Sequence, residues 1–190
     1  MKSIVRVNVQ SILEVVKEIC QRKVLNTQNV ADMTVGNGND TLMLSNLAKH
    51  VYGFDVQKQA IQTTRHLLDE HKRHNYSLFL MGHENVDKVL NKSNDISLFL
   101  FNLGYLPKGD KTVTTLAATT LEAIQKSLNI INDKGTILVV FYPHPEGVNE
   151  AKLAKSYLEK ENIDYIEYHN TDNTNAPYLV EIQKDYAQEA

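Results

Sequence analysis

The chain has 190 residues, 42% of them hydrophobic and 23% charged, with 20 Lys plus Arg against 23 Asp plus Glu and a net charge of −3. At roughly 100–200 residues per domain this predicts a single domain over 1–190 of ordinary globular composition, and the mild acidity argues against a protein that holds nucleic acid by an overall Lys/Arg excess, while leaving room for a local basic face. Cys20 is the only cysteine and the longest apolar run, Ile137 to Tyr142, is far below the ~18–20 residues that span a bilayer, so a disulfide framework and a membrane segment are not expected and the chain reads as cytoplasmic.

Ser11-Ile12-Leu13-Glu14 has the form of a capping box, and Ile12, Val15, Val16 and Ile19 follow at helical spacing, which predicts an amphipathic helix over about 8–22. Val30 to Thr34 reads as the first strand and runs into Gly36-Asn37-Gly38-Asn39-Asp40-Thr41, which opens a helix carrying Leu42, Met43, Leu44 and Leu47. His50 to Asp55 is a second strand, the face of Ala60, Ile61, Thr64, Leu67, Leu68 and His71 a helix, and Tyr76 to Met81 a third strand. After a weakly helical piece over Asn85 to Leu90, a strand from Asp95 to Phe101 stops at Asn102-Leu103-Gly104-Tyr105-Leu106-Pro107. A helix with Leu116, Ala117, Leu121, Ile124, Leu128 and Ile131 precedes the strand Gly135 to Phe141, and a polar helix over 147–161 precedes two more strands, Ile163 to Tyr168 and Tyr178 to Ile182. The alternation predicts a parallel α/β sheet with right-handed crossovers and helices on both faces. The link between the last two strands is too short for a crossover helix, so they should form an antiparallel pair at one edge.

Ligands of such sheets bind beyond the carboxyl ends of the strands, near the point where strand order reverses. Gly36 and Gly38 allow a sharp turn and close approach of a ligand to the backbone, although the same turn also serves as a plain helix entry. Asp55 ends the next strand, 17 residues after Gly38, where a carboxylate can accept from both ribose hydroxyls. A dinucleotide fingerprint would have glycine where Thr41 stands, and Asp40 would repel a pyrophosphate. A cationic or zwitterionic nucleoside such as S-adenosylmethionine fits better than NAD.

The third strand ends in Gly82-His83-Glu84-Asn85, which either sets polar groups against an adenine or is only a turn and helix cap. Asn102-Leu103-Gly104-Tyr105 ends the fourth. An Asn oxygen and a backbone carbonyl there can receive the N–H groups of an amine while an aromatic ring stacks on its base; enzymes that methylate nucleobase amines carry Asn/Asp-Pro-Pro-Tyr/Phe at this place, with Leu-Gly here instead of Pro-Pro. Tyr142-Pro143-His144-Pro145-Glu146-Gly147 ends the fifth, and Tyr142 and His144 are candidate proton acceptors, although a loop His is more often a surface residue. His66, His71 and His74, with Lys72 and Arg73, read as a solvated helix end, and no metal is expected.

Asp32 to Thr41, Asp55-x-Gln57, Gly82-His83-Glu84, Asn102 to Lys111 and Tyr142 to Gly147 together resemble the small Rossmann-type methyltransferases of the MnmM (YtqB-like) family, many members of which carry an rRNA methylase label. The family's Asp-Ala-Thr reads Asp32-Met33-Thr34 here. The resemblance implies a class I methyltransferase fold with a seven-stranded, mostly parallel sheet, and transfer of a methyl group from S-adenosylmethionine to the amine of 5-aminomethyl-2-thiouridine at the tRNA wobble position. It also implies a homodimer acting on the anticodon stem-loop.

Carried over by position, Asp32, Gly36, Asn37, Gly38, Asn39, Asp40, Thr41, Asp55, Gln57, His83, Glu84 and Asn102 would hold the cofactor. Leu103, Gly104, Tyr105, Lys108, Tyr142 and His144 would face the acceptor, and Asn102, Tyr142 and His144 would carry the chemistry. An rRNA methyltransferase and a non-catalytic nucleoside-binding module are the alternative readings. Since the catalytic fold uses nearly the whole chain, RNA would be held by local cations, for which Lys108, Lys111, Arg65, Lys72 and Arg73 are candidates, or by a groove between two chains.

Overall fold

Alternating apolar side chains build the centre of the sheet. In Ile96–Asn102, Phe99 and Phe101 pack into one hydrophobic layer and Leu98 and Leu100 into the other, all fully buried, the pattern of a strand covered on both faces. Thr136–Phe141 repeats it, with Ile137, Val139 and Phe141 opposed to Leu138 and Val140. Each such side chain contributes about 1.5–3 kcal/mol on burial.

The computed structural model describes residues 4–104, 114–173 and 175–184. Its strands are β1 (Ile4–Val9), β2 (Asn29–Asp32), β3 (His50–Asp55), β4 (Tyr76–Leu80), β5 (Ile96–Asn102), β6 (Thr136–Phe141), β7 (Tyr165–Asn170) and β8 (Tyr178–Gln183). The helices are α1 (Ile12–Lys23), α2 (Asn39–Leu47), α3 (Lys58–Glu70), α4 (Ala117–Ile130) and α5 (Pro145–Lys160), with a 3₁₀ turn over His83–Lys88. The strands form one sheet in the order β1-β7-β8-β6-β5-β2-β3-β4. All pairings are parallel except those of β8, which runs against both β6 and β7. Helices α4 and α5 cover one face through Ala123, Ile124, Ala151, Ala154 and Leu158; α1 and α2 cover the other through Ile12, Val16, Ile19, Cys20 and Leu44. Among the described residues no helix is long and apolar enough to cross a membrane.

The sheet has eight strands rather than seven. Ile4–Val9 alternates with period two and pairs in parallel with β7, from Ile4 opposite Tyr165 to Val9 opposite Asn170, so the helix expected from about residue 8 begins only at Ile12. Ser11 Oγ accepts from the Glu14 N–H at 3.3 Å and fixes that start. The antiparallel pair is present but not at the edge: β8 slots between β6 and β7, and β1 is the edge strand. Leu179, Val180 and Ile182 of β8 are fully buried, which an interior place satisfies and an edge would not.

Strand order reverses between β5 and β2, with β3 and β4 built outward one way and β6 the other. The carboxyl ends of β2, β3, β5 and β6 therefore meet around one crevice.

Candidate active site

The glycine loop leaves β2 at Asp32 and enters α2 through Gly38, whose φ is 86°. A Cβ at Gly38 would stand 2.6 Å from Thr64 Oγ1 and 3.0 Å from Thr64 Cα on α3, so this position needs glycine for both conformation and space. The Gly38 N–H donates to the Val35 carbonyl at 2.9 Å, and Thr64 Oγ1 donates to the Gly36 carbonyl at 3.2 Å. Asp32 is wholly buried and accepts from Thr41 Oγ1 at 2.6 Å and from the Thr34 N–H at 3.1 Å. Burial, and then the neighbouring Asp40 charge, push its carboxyl up to about 7. Asp32, Gly38 and Thr41, expected to touch a cofactor, stand behind the cavity wall and hold the loop in shape, because their polar atoms are spent on one another and on the backbone.

In front of this loop lies a cavity of about 850 Å³. Gly36, Asn37, Asn39 and Asp40 form its floor, and Asp55 and Gln57 at the end of β3 one side. The Asp55 carboxylate accepts from the Gly36 N–H at 2.9 Å and from the Gln57 N–H at 2.8 Å. It is thereby aimed before any ligand arrives. His83 and Glu84 continue the wall after β4. The His83 Nδ1 faces the Met33 carbonyl at 3.3 Å, so that nitrogen carries the hydrogen; burial holds the ring neutral by lowering its pKa. Its Nε2 is buried without a protein partner, an acceptor held ready for a donor in the cavity.

The opposite wall is the end of β5. Asn102 Nδ2 donates to Asp40 Oδ2 at 3.0 Å, and Asn102 Oδ1 accepts from the Tyr142 hydroxyl at 2.9 Å. The Asn102 N–H is tied to Thr34 Oγ1 at 2.8 Å. Burial raises the Asp40 pKa, and the hydrogen bond from Asn102 offsets part of that rise. Leu103, Gly104 and His144 complete this side. His144 caps α5: its Nδ1 accepts from the Gly147 N–H at 3.0 Å. A neutral His144 therefore carries its hydrogen on Nε2, and its Nδ1 lone pair is committed to the helix. Tyr105 and Lys108, expected to face the acceptor, lie outside the described residues.

Asp40, Asp55 and Glu84 are on the cavity wall and Asp32 lies behind it, while among the described lining residues there is no Lys or Arg. Such a wall attracts a cation and rejects a pyrophosphate. Among the described residues no group of three or more His, Cys, Asp or Glu is arranged to hold a metal. Of the candidate RNA-binding cations, Lys108 and Lys111 lie outside the described residues. Helix α3 runs back from the cavity, so Lys72 and Arg73 sit at the amino ends of the strands, away from it, where Arg73 hydrogen-bonds Asn46 near the end of α2. The sequence reading also missed Leu13, Val56, Thr115, Leu116 and Thr119 on the wall. Leu13, Val56 and Leu116 are exposed apolar side chains next to recognised motifs, the one signal that could have found them.

A mostly parallel sheet whose last strand is reversed and inserted, with a glycine loop and a ribose-ready carboxylate at the switch point, defines a Rossmann-like class I methyltransferase fold. The rRNA methylase family, described as "Putative rRNA methylase", matches residues 51–183. The chain belongs to this methylase family, in line with its motif resemblance to MnmM-like enzymes. A curated relative, the chloroplastic tRNA (mnm(5)s(2)U34)-methyltransferase of Arabidopsis thaliana, is 33% identical over 157 residues, 76% of this chain. The chain spans only 57% of that relative's length. Among solved structures, one described as "a putative methyltransferase" from Streptococcus mutans in complex with SAH is 32% identical with a TM-score of 0.83, covering 92% of this chain and 98% of that one. An rRNA methylase from Streptococcus thermophilus is 29% identical with a TM-score of 0.77, covering 93% and 98%.

Proposed function

We propose that the protein uses S-adenosylmethionine to methylate the primary amine of 5-aminomethyl-2-thiouridine at the wobble position of tRNA, giving 5-methylaminomethyl-2-thiouridine. The observation that carries this reading is the Asp40–Asn102–Tyr142 hydrogen-bond chain at the end of β5, set in a cavity wall that is acidic and lacks Lys and Arg among the described residues. The name of the Arabidopsis relative supports the nucleoside. The rRNA label of the family favours a second reading, in which the acceptor is an amine of rRNA.

The residues present fit the cofactor. Asp55, aimed by Gly36 and Gln57, keeps lone pairs for ribose hydroxyls, and the unpartnered His83 Nε2 can accept from a donor on the base. S-adenosylmethionine supplies, when bound, a methyl group on a sulfonium. Asn102 Oδ1 accepts an N–H of the acceptor amine in place of the Tyr142 hydroxyl and aligns its lone pair, which is where positioning supplies most of the acceleration. An alkylamine is protonated in neutral water and must lose a proton before it can attack. Asp40 stands on the wall against Asn102 with a raised pKa, and takes that proton at its carboxylate. His144 is set aside as the base because its Nδ1 caps α5.

The experiment is mass analysis of nucleosides from tRNA and rRNA of a strain lacking the protein. Accumulation of 5-aminomethyl-2-thiouridine is expected in tRNA. An unchanged tRNA profile with a lost rRNA methylation would move the function to the second reading.

A further inference from the structure

We propose that Glu146 is a positioning residue for the acceptor side of the cavity: it ties the start of α5 to the start of α4 and so keeps Gly104 seated against Tyr142 and His144. The inference rests on the methyltransferase reading above. Glu146 is half-buried and stays off the cavity wall, which takes Tyr142, Pro143 and His144 from the same loop. Its Oε1 accepts from the Ala117 N–H at 2.7 Å. Helix α4 has no side-chain cap of its own, because Leu116 stands at its N-cap and offers no acceptor. The acceptor comes instead from 29 residues away, in the first turn of the neighbouring helix. A cap supplied in this way also sets where the two helices begin relative to each other.

The contacts close a ring. Ala117 follows Thr115 by two residues, and Thr115 is joined to Gly104 twice: the Gly104 N–H donates to Thr115 Oγ1 at 3.0 Å, and the Thr115 N–H donates to the Gly104 carbonyl at 3.1 Å. Gly104 in turn lies against the end of β6, since a Cβ there would stand 3.5 Å from His144 Nε2 and 3.9 Å from Tyr142 Cδ2. The ring returns to Glu146 through the tight entry of α5. His144 Nδ1 accepts from the Gly147 N–H at 3.0 Å, and a Cβ on Gly147 would run into the Tyr142 carbonyl oxygen. The first turn of α5 is thus pressed against the residues it follows, and Glu146 cannot shift independently of His144.

Gly104 has a φ of 118°, a backbone that favours glycine and is kept by its surroundings. The Leu103 N–H before it is fixed to the Val140 carbonyl at 3.2 Å, so β6 holds the wall up to Leu103. Beyond that point the Thr115 pair takes over, and Thr115 is held by what holds Ala117. Glu146 therefore sets the backbone two residues past Asn102, where the acceptor amine is presented, and makes one continuous wall of Gly104, Thr115, Tyr142 and His144. The cofactor side, built on the ends of β2 and β3, has no link in the ring.

The test compares Glu146→Ala, Glu146→Gln and Thr115→Val in the full chain. The first readout is amide hydrogen exchange, which needs no substrate. Glu146→Ala frees the Ala117 amide in any case; the proposal requires that it also speed exchange at Gly104, by about tenfold, although no partner of Gly104 has been changed. Glu146→Gln keeps an oxygen for the Ala117 N–H and should restore protection at both amides. The second readout is kinetics with undermethylated tRNA. Glu146→Ala should lower kcat/KM for RNA by about tenfold, with the Kd for S-adenosylmethionine within about twofold of the parent protein. Thr115→Val breaks the same ring one link further on and leaves the α4 cap in place, so it should show the same split, and the losses in the double variant should be less than additive. Faster exchange at Ala117 with Gly104 unchanged overturns the proposal, since Glu146 is then a helix cap alone. A loss in RNA kinetics matched by the cofactor Kd overturns it too, as do parental kinetics in Thr115→Val, even where Glu146→Ala does not fold. The expected exchange at Gly104 in a protein whose parent methylates no tRNA sinks the assigned substrate and leaves the Glu146 link standing.

Discussion

Asn102 donates from Nδ2 to Asp40 Oδ2 at 3.0 Å, and this settles which way its carboxamide faces. With the nitrogen held by a carboxylate, the oxygen turns toward Tyr142 and the cavity, where an amine hydrogen can find it. Asp40 orients Asn102, and the proposed mechanism gives it a second, separable duty, accepting a proton. Asp40→Asn keeps an acceptor for Asn102 Nδ2 and removes the base. Its kcat at pH 7 should fall by about 10²-fold, the low end for general-base catalysis, and the deficit should shrink as pH rises and more of the amine is neutral without help. A pH-rate profile parallel to that of the parent would leave Asp40 with the orienting duty alone.

Asp55 offers a prediction on the cofactor side. Its carboxylate is oriented by two backbone N–H groups, from Gly36 and Gln57, so it enters binding with little left to order. Asp55→Ala should weaken S-adenosylmethionine by about 10²-fold, equivalent to one or two charge-assisted hydrogen bonds, while S-adenosylmethionine at saturation restores turnover. Calorimetric affinity within threefold of the parent would show that the ribose is held elsewhere.

The motif residues that line the cavity were legible because each motif ends a strand, and parallel topology carries the ends of β2, β3, β5 and β6 to one crevice. What the sequence concealed was non-local. Ile4–Val9 is a strand only because β7 lies beside it, 161 residues away at the Arg6–Glu167 contact, and no local pattern announces that partner. The interior place of β8 is equally non-local, set by its pairing with β6 on one side and β7 on the other. Lys72 and Arg73 advertise charge but not which end of the strands they occupy; that follows from the direction of α3. Thr120 and Glu150 belong to no motif, and only the packing of α4 on α5 brings them together, with Thr120 Oγ1 2.7 Å from Glu150 Oε1.

Gly38→Ala probes the loop itself. A Cβ there meets Thr64 backbone at 3.0 Å as well as its side chain, and the left-handed φ adds about 1–2 kcal/mol for an L-residue. The variant should melt lower by several degrees and bind cofactor weakly. Equal melting temperatures for Gly38→Ala and the parent would mean that the loop shifts away from α3 at no cost.

Asp32 ties stability and cofactor binding to pH. Burial raises its folded pKa to about 7, above the ordinary carboxylate value of 3.8, with Asp40 shifted in the same direction. The folded protein therefore holds a proton that the unfolded chain releases, so this contribution to stability is greatest in acid, declines as pH rises from about 4 to about 7, and is flat above that. In Asp32→Asn, the Thr41 hydroxyl can rotate to accept from the new amide, and the Thr34 N–H keeps its acceptor. The variant should lose the decline in melting temperature between pH 5 and pH 8 that the parent shows. A cationic ligand in front of the loop favours the ionised carboxylates, so cofactor binding should release protons near neutrality and tighten with pH across the same window. Calorimetry in two buffers of different ionisation enthalpy measures that release, and identical heats in both would mean that Asp32 and Asp40 are already ionised before the ligand binds.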